Sequence, residues 1–407
     1  MQKLNIKISV IFAVLVAVFL SLSIGQSPIG ALNHQENIIF RAGNDFMADF
    51  FNVQRYIADG DPYFNEINGQ AEHLYLPIGY CLLLPFNNLC DYAHMSLQDC
   101  WDSHISVFSA VLFLLISLFF FFHPLYILNS KKGWRTFNTF LLLFTSVFLF
   151  TIERGNLIIL TVACINYFLA FYDSESLWLR RLGLFCLCFA AALKIYPVLF
   201  GVLLLADKRY KYIAFCLVCG LILTFVPFLF FKHGLSNVPR LLENVHINSE
   251  VYGSVTKYQF GIRSIGTIIV GKLGLSEAAS SVFMTGVKIF TWLLALVSIV
   301  LSYVEKRRWL QVALLSLTVV LLPTNSFFYT GMYLIPFIII YINSNNGISW
   351  EDNFIVLLLA LIFNPIQIMH NSLNISMLFA NICCISLWGL LIYMAASNIW
   401  ITKWQRL

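Results

Sequence analysis

The sequence predicts an all-α fold: a polytopic transmembrane helical bundle of about twelve spans, forming one domain over residues 1–407. Three observations predict it. Hydrophobic residues make up 59% of the chain and charged residues only 11%, a balance far too apolar for an ordinary water-soluble domain. Several stretches have the length and apolarity of helices that cross a hydrocarbon core. Between them, basic residues gather in short connectors, at Lys131/Lys132/Arg135, Arg180/Arg181, Lys208/Arg209/Lys211, Lys306/Arg307/Arg308 and Lys403/Arg406. Short basic loops stay on the cytoplasmic side, so these clusters read as topology signals. Nothing else in the sequence supports nucleic-acid binding. No soluble module or internal repeat stands out.

The elements follow in order. Lys3 and Lys7 precede an apolar run from Ile8 to about Ile24. It has the look of a signal peptide, but with so many spans after it we read an uncleaved first helix with its N-terminus inside. A semi-polar segment rich in acids, the first outer loop, covers 25–103. Within it, Leu74–Phe86 is apolar but short, with Pro77 and Pro85 near its ends. It reads as a helix lying in, or dipping into, the membrane interface. Further spans are expected at 104–128, 136–152, 156–173, 181–193, 196–206, 212–231, 281–303, 309–322, 330–343, 353–367 and 375–398. The arms 181–193 and 196–206 are short, and each has a basic cluster at its far end. They suggest a hairpin that enters the membrane and returns to the same side.

An even number of spans places both termini in the cytoplasm, and the expected location is the plasma (inner) membrane. The outer face then collects 25–103, the "ERGN" corner at 153–156, a second large loop at 232–280, "PTNSFFYT" at 323–330 and the turn at 364–374. A site, if present, faces outward. Of the ten cysteines, Cys216/Cys219 and Cys383/Cys384 read as small apolar filler, because a zinc site would need further ligands in a polar setting. Cys90 and Cys100 both fall in the first outer loop, which leaves a disulfide between them open.

Five stretches can carry chemistry. If "NDFMADFFNVQRYIA" is helical, Asp45 and Asp49 lie one turn apart on one face, with Asn52 and Tyr56 extending it. The flanking faces are apolar, so the helix would lie along the membrane surface and present its acids to a cavity, ending at Pro62. The plain alternative is a solvated loop with surface acids. In "TIERGNLIIL", Glu153, Arg154 and Asn156 break a hydrophobic pair of spans; ionisable groups at membrane depth tend to be paired or functional. Lys194 sits in a long apolar stretch and needs a counter-charge, a carboxylate or a bound phosphate, unless it snorkels to the surface. The loop after Phe231 offers His233, Arg240, His246, Lys257, Tyr258 and Arg263, a set that suits an anionic ligand. "LLPTNSFFYT" adds Asn325, Ser326 and Tyr329 at an outer helix end. No P-loop, dinucleotide fingerprint, HExxH or nucleophile elbow is present, which argues against ATP-driven transport by this chain alone.

Four stretches together resemble the polytopic glycosyltransferases of the C-type fold and, within them, glycosyltransferase family 87, an α-1,2-mannosyltransferase-like group. They are the acidic aromatic segment ending in "GDPY" (Gly60–Tyr63), "YLPIGYCLLLP" (Tyr75–Pro85), "ERGNLIIL", and "LKIYPVLFGVLLLADKRYK" (Leu193–Lys211). Arg154 and Gly155 stand where many members carry glycine and glutamine. The resemblance implies transfer of a hexose, mannose-like, from a polyprenyl-phosphate donor to a glycan or glycolipid acceptor on the outer face, with inversion. It implies a carboxylate base, Asp49 ahead of Asp45, since "DFFN" matches family members. Lys194, His246, Arg263 and Arg154 would hold the donor phosphate. Tyr63, Tyr75, Asn156 and Tyr258 would contact sugar or acceptor. No cofactor is implied and no ligand spacing demands a metal, although Asp45, Asp49, Glu72 and His73 leave one open. The competing readings are a transporter or flippase, which predicts repeats with midplane polar residues in both halves, and a ligase or polymerase of lipid-linked glycans.

Overall fold

The computed structural model describes residues 10–11, 13–17, 46–58, 60–64, 74–128, 142–252, 259–344, 349–363, 369–370 and 373–404. The described fold is all-α apart from two pairs of two-residue strands. The helices are α1 (Ala48–Ala58), α2 (Pro77–Asn87), α3 (Leu97–Asp102), α4 (His104–Leu128), α5 (Ser146–Arg154), α6 (Ile158–Phe171), α7 (Leu177–Leu193) and α8 (Val202–Ala206). They continue with α9 (Tyr210–Phe225), α10 (Asn237–Tyr252), α11 (Ile262–Leu273), α12 (Glu277–Val304), α13 (Arg308–Leu321), α14 (Ile335–Ser344), α15 (Trp350–Phe363) and α16 (Ile375–Trp404). Strand β1 (Gln259–Phe260) pairs antiparallel with β2 (Ser326–Phe327), and β3 (Met369–His370) with β4 (Leu373–Asn374).

Four of these helical segments are long and apolar enough to cross a membrane: His104–Leu128, Tyr210–Phe230, Glu277–Val304 and Met377–Ile399. Most of the other apolar segments expected as spans are helical but shorter, as at Ile158–Phe171 and Arg308–Leu321. Fourteen residues of α-helix reach about 21 Å at ~1.5 Å per residue, short of a hydrocarbon core of about 30 Å. Proline shortens others. Pro197 and Pro227 sit near the starts of 3₁₀ turns at Tyr196–Gly201 and Val226–Phe230. The 3₁₀ turn Phe328–Leu334 precedes α14, which carries Pro336 in its first turn.

Helix α13 is buried on every face, from Trp309 to Leu321 without exception. It anchors the larger core, with α6, α14, α15 and α16 contributing residues such as Phe168, Phe337, Ile355 and Trp388. A second, aromatic core joins α1, α2 and α4 to the 226–231 turn, through Phe50, Phe51, Tyr80, Phe113, Phe228 and Phe231. The arms 177–193 and 196–206 pack together and return to one end, as the sequence suggests. That end is tied by Arg209 to Asp173, by Arg180 Nη1 to the Tyr212 hydroxyl (2.5 Å) and by Arg308 Nη2 to Asp207 (2.8 Å). The 17 residues of α7 carry the chain about 25 Å away from it, so Lys194 lies at the opposite end of the bundle.

Two sequence expectations change. Helix α1 begins only at Ala48, because Met47 adopts the left-handed region (φ 52°). The described helix therefore does not run back through Met47 toward Asp45, and Asp45 itself lies outside the described residues. Helix α1 buries Phe50, Phe51, Val53, Gln54, Tyr56 and Ile57 and leaves Asp49, Asn52 and Arg55 half-buried along one side, as an amphipathic helix does. Its aromatic side chains close the second core. Cys90 and Cys100 are free thiols, with Cys90 Sγ 3.4 Å from Met95 Sδ.

Candidate functional site

The corner between α5 and α6 organises the site. Helix α5 stops because Gly155 takes the left-handed conformation (φ 64°), with its N–H bonded to the Ile152 carbonyl at 3.0 Å. The same glycine lets α1 approach. A Cβ there would stand 2.9 Å from Met47 Cε and 3.1 Å from Phe50 Cβ. Met47 N–H donates to the Glu153 carbonyl at 2.6 Å, which fixes the start of α1 against this corner.

Asp49, in the first turn of α1, is thereby set between two side chains of the corner. Arg154 donates to Asp49 Oδ1 from Nη2 at 2.5 Å and from Nε at 3.1 Å. Asn156 Nδ2 donates to Oδ2 at 2.7 Å. The Asn156 amide cannot turn freely, because its Oδ1 accepts from the Ile158 N–H at 2.9 Å at the start of α6. The Arg154 and Asp49 side chains are 25% and 15% exposed, so the pair is partly withdrawn from water while still reachable.

Lys194 closes the opposite wall. It caps α7 in an extended conformation, where the chain turns into the 3₁₀ segment. Its ammonium lies 5.3 Å from the ring centroid of Tyr75 and 5.1 Å from that of Tyr329, a cation held between two aromatic faces. Among the described residues, no carboxylate comes within ion-pair distance of it. Asp49 is its nearest electrostatic partner, and Tyr329 also feels Asp49, Arg154 and the Asn156 amide. Tyr329 is placed by stacking on Phe327 and Phe150, at 5.8 and 6.3 Å between centroids. The β1–β2 pairing sets Phe327, and Asn325 Nδ2 ties the same segment to Asn248 Oδ1 on α10 at 2.9 Å.

Asp49, Arg154, Asn156, Lys194 and Tyr75 are thus brought together from sequence positions spread over 146 residues. Tyr329 completes the group; the sequence marked it only as part of an outer helix end, since its approach to Lys194 depends on long-range packing. Tyr63 needs correction as a sugar contact. It is 1% exposed, wedged among Tyr80, Phe228 and Phe231, and its hydroxyl donates to the Tyr75 carbonyl at 3.0 Å. It supports Tyr75 from behind and offers no face to a ligand. His246 pairs with Glu250 on its own helix at 3.5 Å and is 72% exposed, and nothing ties it to Lys194. Arg263 stands in the first turn of α11, after Gly261 (φ 126°), whose N–H donates to Asn381 Oδ1 at 2.6 Å; its buried Nε has no partner. Asp45, Glu72, His73 and Tyr258 lie outside the described residues. Among those described, no three His, Cys, Asp or Glu side chains form a metal-holding group.

Beside the site, a second carboxylate locks two chain segments together. Asp61 of the "GDPY" turn accepts from His233 Nδ1 at 2.7 Å, the His233 N–H at 3.0 Å, Asn237 Nδ2 at 3.1 Å and the Tyr63 N–H at 3.2 Å. Burial alone would raise its pKa, but these four bonds outweigh it and hold the carboxyl below its ordinary value.

Comparison with known families adds one match. The family model described as glycosyltransferase family 87 covers residues 74–327, well over half of the chain. That span contains Tyr75, Arg154, Asn156 and Lys194; Asp49 precedes it and Tyr329 follows its end by two residues. No curated protein and no solved structure matches the chain.

Proposed function

The chain belongs to glycosyltransferase family 87, and on that premise we propose that it moves a mannose-like hexose from a polyprenyl phosphate to a glycan or glycolipid acceptor on the outer face of the plasma membrane. One observation carries the reading: a fixed carboxylate, Asp49, and an ammonium that has no acid partner among the described residues, Lys194, share one aromatic-lined corner at the end of the bundle away from the arginine cluster.

Inverting transfer needs a base near the acceptor and positive charge near the leaving group. Asp49 is the base. Arg154 places two donors on Oδ1 and Asn156 one on Oδ2, and a carboxylate has about four lone-pair sites, so Oδ2 retains capacity for an acceptor hydroxyl. As that proton passes to Asp49, the acceptor oxygen bonds to the anomeric carbon. The bond from that carbon to the phosphate oxygen breaks, and its electron pair leaves with the polyprenyl phosphate. Lys194 is the group placed to meet that charge. An anionic ligand there would supply the partner that the ammonium lacks. The rings of Tyr75 and Tyr329 form apolar faces against which a pyranose can pack. The bonds of Arg154 to Asp49 favour it as the group that orients the base over a first contact to phosphate. A lipid-linked donor suits a site set among short helices at one end of a membrane bundle.

The test is transfer by purified protein from a defined set of polyprenyl-phosphate sugars. Activity from at least one donor, lost in Asp49→Asn and in Lys194→Gln, is expected. Full activity in Asp49→Asn would remove the base from this assignment.

A further inference from the structure

The bundle end opposite the candidate site carries a concentration of cations with its own architecture. Three arginines from separate elements meet through two tyrosine rings. The Tyr172 ring lies between the guanidinium carbons of Arg209 and Arg308, at 5.5 and 5.4 Å from its centroid. The Tyr212 ring lies 5.7 Å from Arg180 and 6.0 Å from Arg209. Two of the arginines have acid partners, Arg209 with Asp173 and Arg308 with Asp207. Among the described residues Arg180 has only neutral acceptors: the Ser174 carbonyl at 2.8 Å, the Glu175 carbonyl at 3.4 Å and the Tyr212 hydroxyl at 2.5 Å. Arg308 Nη1 is buried and has no hydrogen-bond partner among the described residues.

Around this rigid centre stand Arg181, Lys208 and Lys211, all exposed. None of them makes an ion pair among the described residues. Lys208 holds a left-handed position (φ 56°) at the tip of its turn, where glycine would be relaxed. Six cations, Arg180, Arg181, Lys208, Arg209, Lys211 and Arg308, therefore face three acids, Asp173, Glu175 and Asp207. The surroundings are those of a membrane boundary. Helix α9 leaves this patch with no buried residue along its length. Trp178 and Tyr210, 74% and 62% exposed, flank the patch at the same level, as aromatic side chains do at a bilayer interface.

We propose that this patch is a binding site for the phosphate headgroup of an anionic phospholipid in the adjoining leaflet, with Arg180 and the rim residues Arg181, Lys208 and Lys211 as its ligands and the apolar face of α9 as the seat of its acyl chains. Charge complementarity and lipid-facing surface converge here: a free phosphate would satisfy the cations but leave α9 unused, whereas a phospholipid occupies both. The arginine–tyrosine centre, already bonded, keeps the site open without a ligand. Its unpaired rim makes the attraction electrostatic and therefore sensitive to salt.

The full-length protein is reconstituted in nanodiscs of phosphatidylcholine with one-fifth phosphatidylglycerol, and co-retained lipids are counted by native mass spectrometry after release. The wild type is expected to retain phosphatidylglycerol beyond its share of the bilayer, and to lose that preference in high salt. Each neutralised rim residue is expected to weaken retention by roughly fivefold, first in Lys208→Gln alone and further in Arg181→Gln/Lys208→Gln/Lys211→Gln. The single variant guards against a triple variant that inserts wrongly. Lys272→Gln, which removes an exposed charge elsewhere, is expected to leave retention unchanged. Phosphatidylglycerol retained only in proportion to its abundance, or equally in wild type and Lys208→Gln, overturns the site and leaves the cluster as a topology signal. Equal losses in Lys208→Gln and Lys272→Gln overturn it as well.

Discussion

Arg154 grips a single oxygen of Asp49 with two nitrogens, Nη2 at 2.5 Å and Nε at 3.1 Å, and so fixes the direction in which the carboxylate points. Replacing Asp49 by asparagine keeps the shape and removes the proposed base. We expect transfer to fall by about two to four orders of magnitude, with expression and thermal stability close to wild type, measured as single-turnover transfer beside a melting curve. Arg154→Gln is expected to lower kcat more than it raises the donor KM. A donor KM that rises while kcat holds would reassign Arg154 to the phosphate.

Lys194 answers to a different measurement. Lys194→Gln keeps a polar group between Tyr75 and Tyr329 but removes the charge that phosphate would meet. A charge-assisted contact made in the transition state contributes about 2.7–4 kcal/mol, so kcat/KM for the donor is expected to fall by roughly two to three orders of magnitude. Tyr329→Phe should retain most activity because the ring remains, while Tyr329→Leu should not. Steady-state kinetics at varied donor concentration separates the two. Equal activity in the phenylalanine and leucine variants would mean that the ring face is idle.

Gly155 tests how the site is built. A side chain there meets two penalties: a left-handed backbone, costing roughly 1–2 kcal/mol for an L-residue, and contacts of 2.9 and 3.1 Å with Met47 and Phe50. Gly155→Ala is expected to displace α1 and with it Asp49. Activity should be lost out of proportion to any fall in the melting temperature, since Met47 and Phe50 belong to the smaller aromatic core and not to the larger one built on α13. A fully active Gly155→Ala protein would show that the close approach of α1 to this corner is dispensable.

How much of this was legible in the sequence follows from the range of each interaction. Apolar runs placed most helices, since helix formation and burial are read from local composition; α4 matches its expected span, 104–128, at both ends. Span lengths were less legible, because whether a helix reaches 14 or 25 residues depends on 3₁₀ turns and proline positions settled by packing. Asp49, Arg154, Asn156 and Lys194 stood out as polar groups in apolar surroundings. Their convergence did not, because Arg154 and Asp49 are 105 residues apart. The burial of Tyr63 was invisible for the same reason: the aromatic walls around it come from α2 and the turn at 226–231. The helix expected to span Asp45 and Asp49 failed at Met47, whose left-handed conformation answers to the contact with Glu153 and not to local propensity.

Asp61 gives the protein a pH-dependent joint beside the site. Its carboxylate is 6% exposed and accepts four hydrogen bonds, two of them from His233, which bind the 60–64 turn to the start of the 232–252 segment. Its pKa is held below the ordinary value despite burial, because those bonds favour the ionised form. A group whose pKa is lower in the folded than in the unfolded chain stabilises the fold fully above its unfolded pKa. That contribution fades as the pH falls through the folded value. The joint is therefore expected to be intact at neutral pH and to open in acid, below the ordinary carboxylate range. Amide hydrogen exchange at Tyr63 and His233 measures it: protection should be high at neutral pH and fall on acidification before the amides of α13 lose theirs. In Asp61→Asn the exchange of Tyr63 and His233 should be fast at neutral pH and nearly independent of acid, with α13 unchanged. Identical acid profiles in wild type and Asp61→Asn would assign the opening to another group.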